Sequence, residues 1–354
     1  MASSSSSPPA EIQDASPTFH PSLGQPGFEV VYHPSPLLPH SYSQPQPQSN
    51  SSTASFTVSI PPASLPHIFA HRQWRAGMIL SDLLYTHPSL VHSKYVLELG
   101  CGTALPSFLS AYQGAEMVLT TDYDEESVVR VLKENVGRAV KEVLRGGGKV
   151  RGVGYTWGHS PDDLFDYLPN GVDSFDVVLL ADTLWDPLSH SDLAKSLSTT
   201  LSRKEDARVI VVAGLHTGRE RIMDFVKKAR RVGLDVVRPS ETMGLLWDES
   251  EMVDEPALEE VLARRSTDDV QADEWTSHIL ECELAPDDQG EEESSSPHNT
   301  AGPNIIHSRG PRLTGRRRKF VAYESLRPEE AKERGGIHLR NRWMTIWSLG
   351  WRVQ

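Results

Sequence analysis

Residues 95–106 read YVLELGCGTALP, and Asp122 follows 22 positions after Gly100 in VLTTDYD. A β-branched and leucine run that ends in an acid and then Gly-x-Gly predicts a strand, a tight turn and a helix. The glycines let the backbone approach a ligand and tolerate positive φ. The helix start beyond them supplies N–H donors that have no intrahelical partner. An acid at the end of the next strand is placed to accept from a ribose diol. The spacing therefore points to an adenosine-containing ligand.

A nicotinamide dinucleotide fingerprint would carry a third glycine, where this chain has Leu105 followed by Pro106. Glu98, two residues before Gly100, lies outside that fingerprint. An acid there suits a cationic ligand without a pyrophosphate, and S-adenosylmethionine, with an ammonium and a sulfonium, fits. Asp182 ends the apolar run FDVVLLAD (175–182), where it either meets a ligand or caps the next helix. His216, after RVIVVAG (208–214), is either a pocket residue or one that starts the following helix. His67 and His71 have i, i+4 spacing but no third ligand nearby, so no metal is expected. Cys101 sits in the turn as a small packing residue.

These groups need a scaffold, and the chain alternates accordingly. Strands are expected at 56–60, 95–99, 116–121, 151–156, 175–182, 208–214 and 344–351. Helices are expected at 67–84, 126–144 (closed by Gly146–Gly148), 190–202 and 219–232. Strand–helix alternation with valine-rich buried strands gives an α/β fold, a mostly parallel sheet with helices on both faces. Ligands of such sheets sit at the carboxyl ends of the strands. That rule puts Gly100, Asp122, Trp157 and Asp182 on one rim.

Composition bounds the rest. Residues 1–55 hold 24 Ser or Pro and are expected to be a disordered tail, with FEVVYH (28–33) as a local strand. Because such a tail buries little, its removal is expected to leave stability nearly unchanged. Residues 56–354 form the domain, with an acidic low-complexity insertion at about 248–311. Residues 248–293 carry 18 acidic residues against Arg264 and Arg265, so this segment accounts for the net charge of −13. The remainder is nearly balanced, and nucleic acid is not expected as a partner. The basic run Arg316–Lys319 reads as a solvated edge balancing the acidic segment, with a nuclear address as the alternative. Two cysteines build neither a disulfide framework nor a zinc pattern. No apolar run approaches the ~20 residues needed to cross a bilayer, so no membrane association is expected. The compartment expected is reducing, the cytoplasm or alternatively the nucleus.

Taken together, HIFAH (67–71), QWRAG (73–77), VLELGCGTALPS, TDYD, YTWG and VLLADTLW resemble the family 16 methyltransferases. More narrowly they resemble the fungal nicotinamide N-methyltransferase-like and elongation-factor lysine methyltransferase branch. The resemblance spans about residues 56–235, with a weaker tail at 340–354, and rests on the ordered set of motifs. It implies a class I methyltransferase fold, Rossmann-like and seven-stranded, with S-adenosylmethionine as methyl donor. It places Trp74, Glu98, Gly100, Gly102, Asp122, Tyr123, Trp157 and Ala181 around that cofactor. It places Asp182 and Trp185 at the acceptor. The family's lysine enzymes read Asp-x-x-Tyr there; Asp182-Thr-Leu-Trp185 keeps the aromatic wall and lacks the hydroxyl.

Three functions follow as alternatives. The first is N-methylation of a protein amine, a lysine or an N-terminus, for example of a translation elongation factor. The second is methylation of a small amine of nicotinamide type, and the third a non-catalytic cofactor-binding scaffold. A pyridine nitrogen has no proton to lose and little need of a carboxylate, so Asp182 favours the first.

Overall fold

The computed structural model describes residues 19–37, 54–62, 71–145, 149–238, 275, 278–285, 304–320 and 340–352. In chain order its elements begin with β1 (Ser22–Leu23), β2 (Glu29–Tyr32), β3 (Phe56–Ser59), β4 (Gln73–Trp74) and α1 (Arg75–Thr86). Then follow β5 (Tyr95–Leu99), α2 (Leu105–Tyr112), β6 (Met117–Asp122), α3 (Glu126–Glu142), β7 (Val150–Gly154) and α4 (Asp162–Phe165). Next come β8 (Val177–Ala181), α5 (His190–Thr200), β9 (Arg208–Gly214), α6 (Arg219–Arg231) and β10 (Leu234–Val236). The chain ends in β11 (Leu280–Leu284), β12 (Ile305–Ser308), β13 (Leu313–Lys319) and β14 (Trp343–Trp351).

The main sheet runs β13-β11-β14-β9-β8-β5-β6-β7, with β10 paired to β14. Strands β5 to β9 are mutually parallel, and β14 inserts antiparallel between β9 and β11. Six of the expected strands are β5, β6, β7, β8, β9 and β14. The seventh, at 56–60, is β3 and pairs with β2 in a separate three-stranded sheet, while β11, β13 and the short β10 were not expected and bring the main sheet to nine. Side chains alternate between two cores, as strand geometry requires. Val96, Val118, Val177 and Ile210 pack with Ile79, Phe108 and Leu132 of α1 to α3. Leu97, Leu119, Val178 and Val211 pack with Leu164, Leu193 and Phe225 of α4 to α6.

The expectation of a disordered tail over residues 1–55 does not hold for its described part, where the strand expected at 28–33 forms as β2. The Ser/Pro-rich N-terminal segment contains docked structure: β2 pairs with β3 and β12, and Val30, Tyr32 and Leu37 are buried. The Tyr32 hydroxyl donates to Asp82 Oδ1 of α1 at 2.5 Å, and the Ser35 N–H donates to the same oxygen at 2.8 Å. Burial pushes the Asp82 carboxyl up to about 8. Burial of Val30, Tyr32 and Leu37 outweighs the polar composition around them.

The acidic insertion at about 248–311 likewise includes a core strand, β11, whose five residues are all buried. Glu281 receives Arg219 Nε and Nη2 at 2.9 and 2.7 Å and Arg318 Nε at 2.6 Å. Burial alone would raise its pKa, but the two guanidiniums hold it below the usual carboxylate range. Charge counting read Glu281 and Glu283 as solvated acids, whereas buried pairing makes them structural. The basic run Arg316–Lys319 lies in β13, the outer strand of the sheet; Arg316 is exposed, Arg317 and Arg318 are buried, and Arg316 and Arg318 pair with Glu283 and Glu281 of the acidic segment.

The helix expected from His67 starts later, at Arg75, and Trp74 is its extended N-cap. Residues 63–70, 146–148, 239–274 and 286–303 lie outside the described residues. So do most of the acidic segment, the HIFAH motif up to Ala70, and the expected helix stop at Gly146–Gly148. Among the described residues no group of three metal-ligating side chains converges, and no helix is long and apolar enough to cross a membrane.

Candidate active site

Strand order reverses between β5 and β8, and the crevice this leaves at the carboxyl ends of the strands is where parallel α/β sheets bind ligands. Gly100 and Gly102 both hold positive φ, +71° and +54°, in the turn from β5 to α2. A Cβ on Gly100 would stand 2.9 Å from Trp157 Cζ2 and 3.0 Å from Thr183 Cγ2. This glycine therefore admits side chains arriving from two other strand ends. A Cβ on Gly102 would meet nothing within 4 Å, so the turn faces open space there.

Two acids flank the turn. Asp122 ends β6, buried, with Oδ2 accepting the Gly102 N–H at 2.6 Å and Oδ1 accepting the Tyr123 N–H at 2.8 Å. Burial raises its pKa, and these two N–H bonds oppose the rise. Glu98 in β5 is 1% exposed. Its Oε2 accepts the Ser107 N–H at 3.0 Å and the Ser107 hydroxyl, while its Oε1 is buried without a hydrogen-bond partner. Burial pushes this carboxyl up to about 8 against the Ser107 bonds, with Asp122 adding to the rise.

A buried carboxyl oxygen without a partner is costly, and an arriving cation would both satisfy and ionise it. S-adenosylmethionine fits these residues: Glu98 for the ammonium, Asp122 for the ribose and the open side of Gly102 for close approach. Tyr123 is 43% exposed beside Asp122, and half-buried Trp157 leans on Gly100. Both provide aromatic surface next to that crevice.

The other half of the site is at the ends of β8 and β9. Ala181 pairs with Val212, and the Asp182 N–H continues the ladder to the Val212 carbonyl at 2.9 Å. Asp182 then turns into the left-handed region at φ +57°, a conformation that non-glycine residues adopt rarely and Asp tolerates best. Its Oδ1 accepts the Gly214 N–H at 3.0 Å, and its Oδ2 is buried without a partner. The following loop is braced by buried His190, whose Nδ1 lies 2.7 Å from Asp224 and whose Nε2 lies 3.1 Å from the Leu184 carbonyl oxygen. Trp185 is half-buried within that loop.

Trp74 reaches this side from β4, stacked on His216 with ring centroids 5.4 Å apart and planes within 8°. The His216 ring sits against Gly214: a Cβ there would lie 2.4 Å from His216 Nδ1 and 3.4 Å from Asp182 Oδ1. Trp74 and His216 thus stand beside Gly214 and Asp182 at the ends of β8 and β9. A link between the halves comes from Gln73, whose Oε1 accepts from the Thr103 hydroxyl of the turn.

Sequence reasoning gave no role to Gln73, Thr103 or Thr183 and left His216 open between a pocket residue and one that starts the next helix. Gln73 and Thr183 each adjoin a residue that was assigned, and His216 follows a glycine at the end of a buried strand. Those were the available signals, and none specifies a contact.

The sequence model of the lysine methyltransferase family matches residues 66–232. A protein N-terminal and lysine N-methyltransferase, efm7, of Emericella nidulans is 32% identical over 149 residues, 41% of this chain and 58% of the relative. Its namesake in Schizosaccharomyces pombe is 34% identical over 147 residues, covering 41% and 55%. The one in Gibberella zeae is 32% identical over 181 residues, covering 49% and 68%. The chain spans little more than half the length of the first two. Magnesium protoporphyrin IX methyltransferase of Synechocystis, solved with S-adenosylmethionine, aligns with TM-score 0.33 at 18% identity over 46% of this chain and 70% of that one. That likeness is too remote to carry weight beside the strand order. The family match and the Gibberella alignment agree with the turn and strand order described above: the chain belongs to the lysine methyltransferase family.

Proposed function

We propose that the protein is an S-adenosylmethionine-dependent N-methyltransferase acting on a protein amine, a lysine or an N-terminus. The observation that carries the reading is Asp182: one carboxylate oxygen locked by Gly214, the other buried without a partner, beside the Trp74–His216 stack. A cationic amine satisfies that oxygen, whereas a pyridine nitrogen of nicotinamide type has no proton to offer it. The relatives' names, protein N-terminal and lysine N-methyltransferase, support the same acceptor class. A translation elongation factor is the acceptor suggested by the sequence resemblance. The compartment we propose is the cytoplasm, supported by two buried free cysteines that suit a reducing environment.

When bound, S-adenosylmethionine supplies an electrophilic sulfonium methyl carbon. Glu98 would hold its ammonium and Asp122 its ribose, and the Gly100–Gly102 turn would let the backbone approach it. Asp182 orients the incoming ammonium, and Trp74 and Trp185 present π faces that favour a cation. Alignment of this kind supplies on the order of 7–11 kcal/mol. A lysine must also lose a proton: with an ordinary pKa near 10.4, its neutral form near pH 7.4 is about one part in a thousand, a cost of about 4 kcal/mol.

Incubating the full chain with methyl-labelled cofactor and either fungal lysate protein or a panel of small amines including nicotinamide tests the reading. Label in protein, with none in the small amines, is expected. Label in nicotinamide alone would transfer the assignment to a small-molecule enzyme.

A further inference from the structure

We infer that His216 is the proton acceptor for the amine, completing with Asp182 and Trp74 a three-residue acceptor station; this rests on the protein-amine reading above. The inference starts from a division of labour. Asp182 is well placed to hold an ammonium, but a carboxylate stabilises the charged amine and so works against its deprotonation. The site needs a second group, neutral and basic, next to the carboxylate. His216 is the imidazole at that position, in the short turn after β9, with its Nδ1 edge lodged against Gly214 and Asp182 Oδ1 beside the same spot. Gly214 has φ −70°, an ordinary value, so it is the space for the imidazole and not the backbone conformation that calls for glycine.

Two further features hold the ring. The stack on Trp74 fixes its plane. The buried Arg219–Glu281–Arg318 cluster pins the start of α6 directly after the His216 turn. Trp74 is itself pinned, through β4 pairing with β1 and through the Arg75 N–H donating to the Pro21 carbonyl at 3.0 Å. The charged groups on the elements around the ring are Asp182 after β8, Arg75 on α1, Arg219 and Glu220 on α6, and Arg340 ahead of β14.

An ammonium N–H proton passes to an imidazole nitrogen of His216. The freed nitrogen lone pair forms the N–C bond to the methyl carbon, and the C–S bond breaks with its electron pair left on sulfur. The imidazolium then returns its proton to solvent.

His216→Phe keeps a ring on Trp74 and removes both nitrogens. Using full-length protein, labelled cofactor and fungal lysate protein as acceptor, transfer is expected to fall by about a hundredfold at pH 7. The deficit should narrow to about tenfold or less at pH 9, where more of the acceptor is neutral without help. Calorimetric cofactor affinity should stay within about twofold of wild type, well under the 1.4 kcal/mol of a tenfold change. Gly214→Ala, whose Cβ would displace the ring, should give the same pH-dependent deficit. A wild-type rate in His216→Phe, or a deficit independent of pH, overturns the assignment, as does a matching loss of cofactor affinity. Absence of transfer by the wild type to any protein amine instead overturns the function reading, and this inference with it.

Discussion

The two halves of the site are built differently. The cofactor half is local: Glu98, Gly100, Gly102, Ser107 and Asp122 belong to one strand–turn–helix–strand unit, and their hydrogen bonds close within it. The acceptor half is assembled from distant stretches: Trp74 from β4, Asp182 from the end of β8 and His216 from the turn after β9. A local unit keeps its geometry while the surrounding structure varies. An assembled one depends on every segment that holds its parts, including the N-terminal strands that composition alone reads as a tail. Perturbing each half should therefore give separable outcomes.

Removing residues 1–37 should produce the largest effect. It strips β1 from β4 and leaves Asp82 buried without Tyr32 and Ser35. An orphaned buried charge or polar group costs about 1–3 kcal/mol or more, and the lost burial of Val30, Tyr32 and Leu37 adds to it. Unfolding in denaturant should register a total of at least about 3 kcal/mol. An unchanged midpoint would show that the acceptor half stands without its N-terminal support.

Asp122→Ala strikes the local half. Losing a hydrogen bond to a charged group costs about 1.5–3 kcal/mol, or about 10- to 150-fold in cofactor affinity. The fold should persist, because the partners of Asp122, the Gly102 and Tyr123 amides and the Cys101 thiol, all lie in the turn or next to it. Calorimetry giving a wild-type dissociation constant would place the ribose elsewhere.

Asp182→Asn strikes the assembled half and should invert that pattern. Asn retains an oxygen for the Gly214 N–H but no charge for an ammonium. Cofactor affinity should hold while methyl transfer drops by more than about tenfold, the equivalent of about 1.4 kcal/mol. Full activity in the variant would remove Asp182 from the mechanism and bring the pyridine-type acceptor back.

The smallest effects concern pH. The Glu98 carboxyl, held at about 8 by burial, must give up its proton to meet an ammonium, so cofactor affinity should strengthen as pH rises toward 8. Stability without cofactor should run the other way. A carboxyl whose folded pKa lies above its ordinary value of 4.5 binds more protons when folded, so stability declines as pH rises through that window. Glu98→Gln should flatten both dependences, leaving the share of Asp82, which is also raised to about 8. Melting curves whose slope with pH is the same in variant and wild type would mean that Glu98 ionises as freely as a surface acid.

The legible part of the molecule follows the same division. Periodicity was enough for β5 to β9, because each is a short apolar run, and glycine spacing was enough for the turn at Gly100–Gly102 and the acid at Asp122, because those contacts lie within one strand–turn–helix–strand unit. Asp182 was legible from its place after a buried run. Tertiary structure decided the rest. It made a core strand of LECEL, since a buried acid is acceptable only when Arg219 and Arg318 arrive from elsewhere. It docked Glu29–Tyr32 through Asp82, Ser59 and Ile306, partners that no local window contains. It also stacked Trp74 on His216, because stacking between two rings depends on where two chain segments meet. Local chemistry is written in neighbouring residues, and long-range juxtaposition is fixed only when the whole core closes.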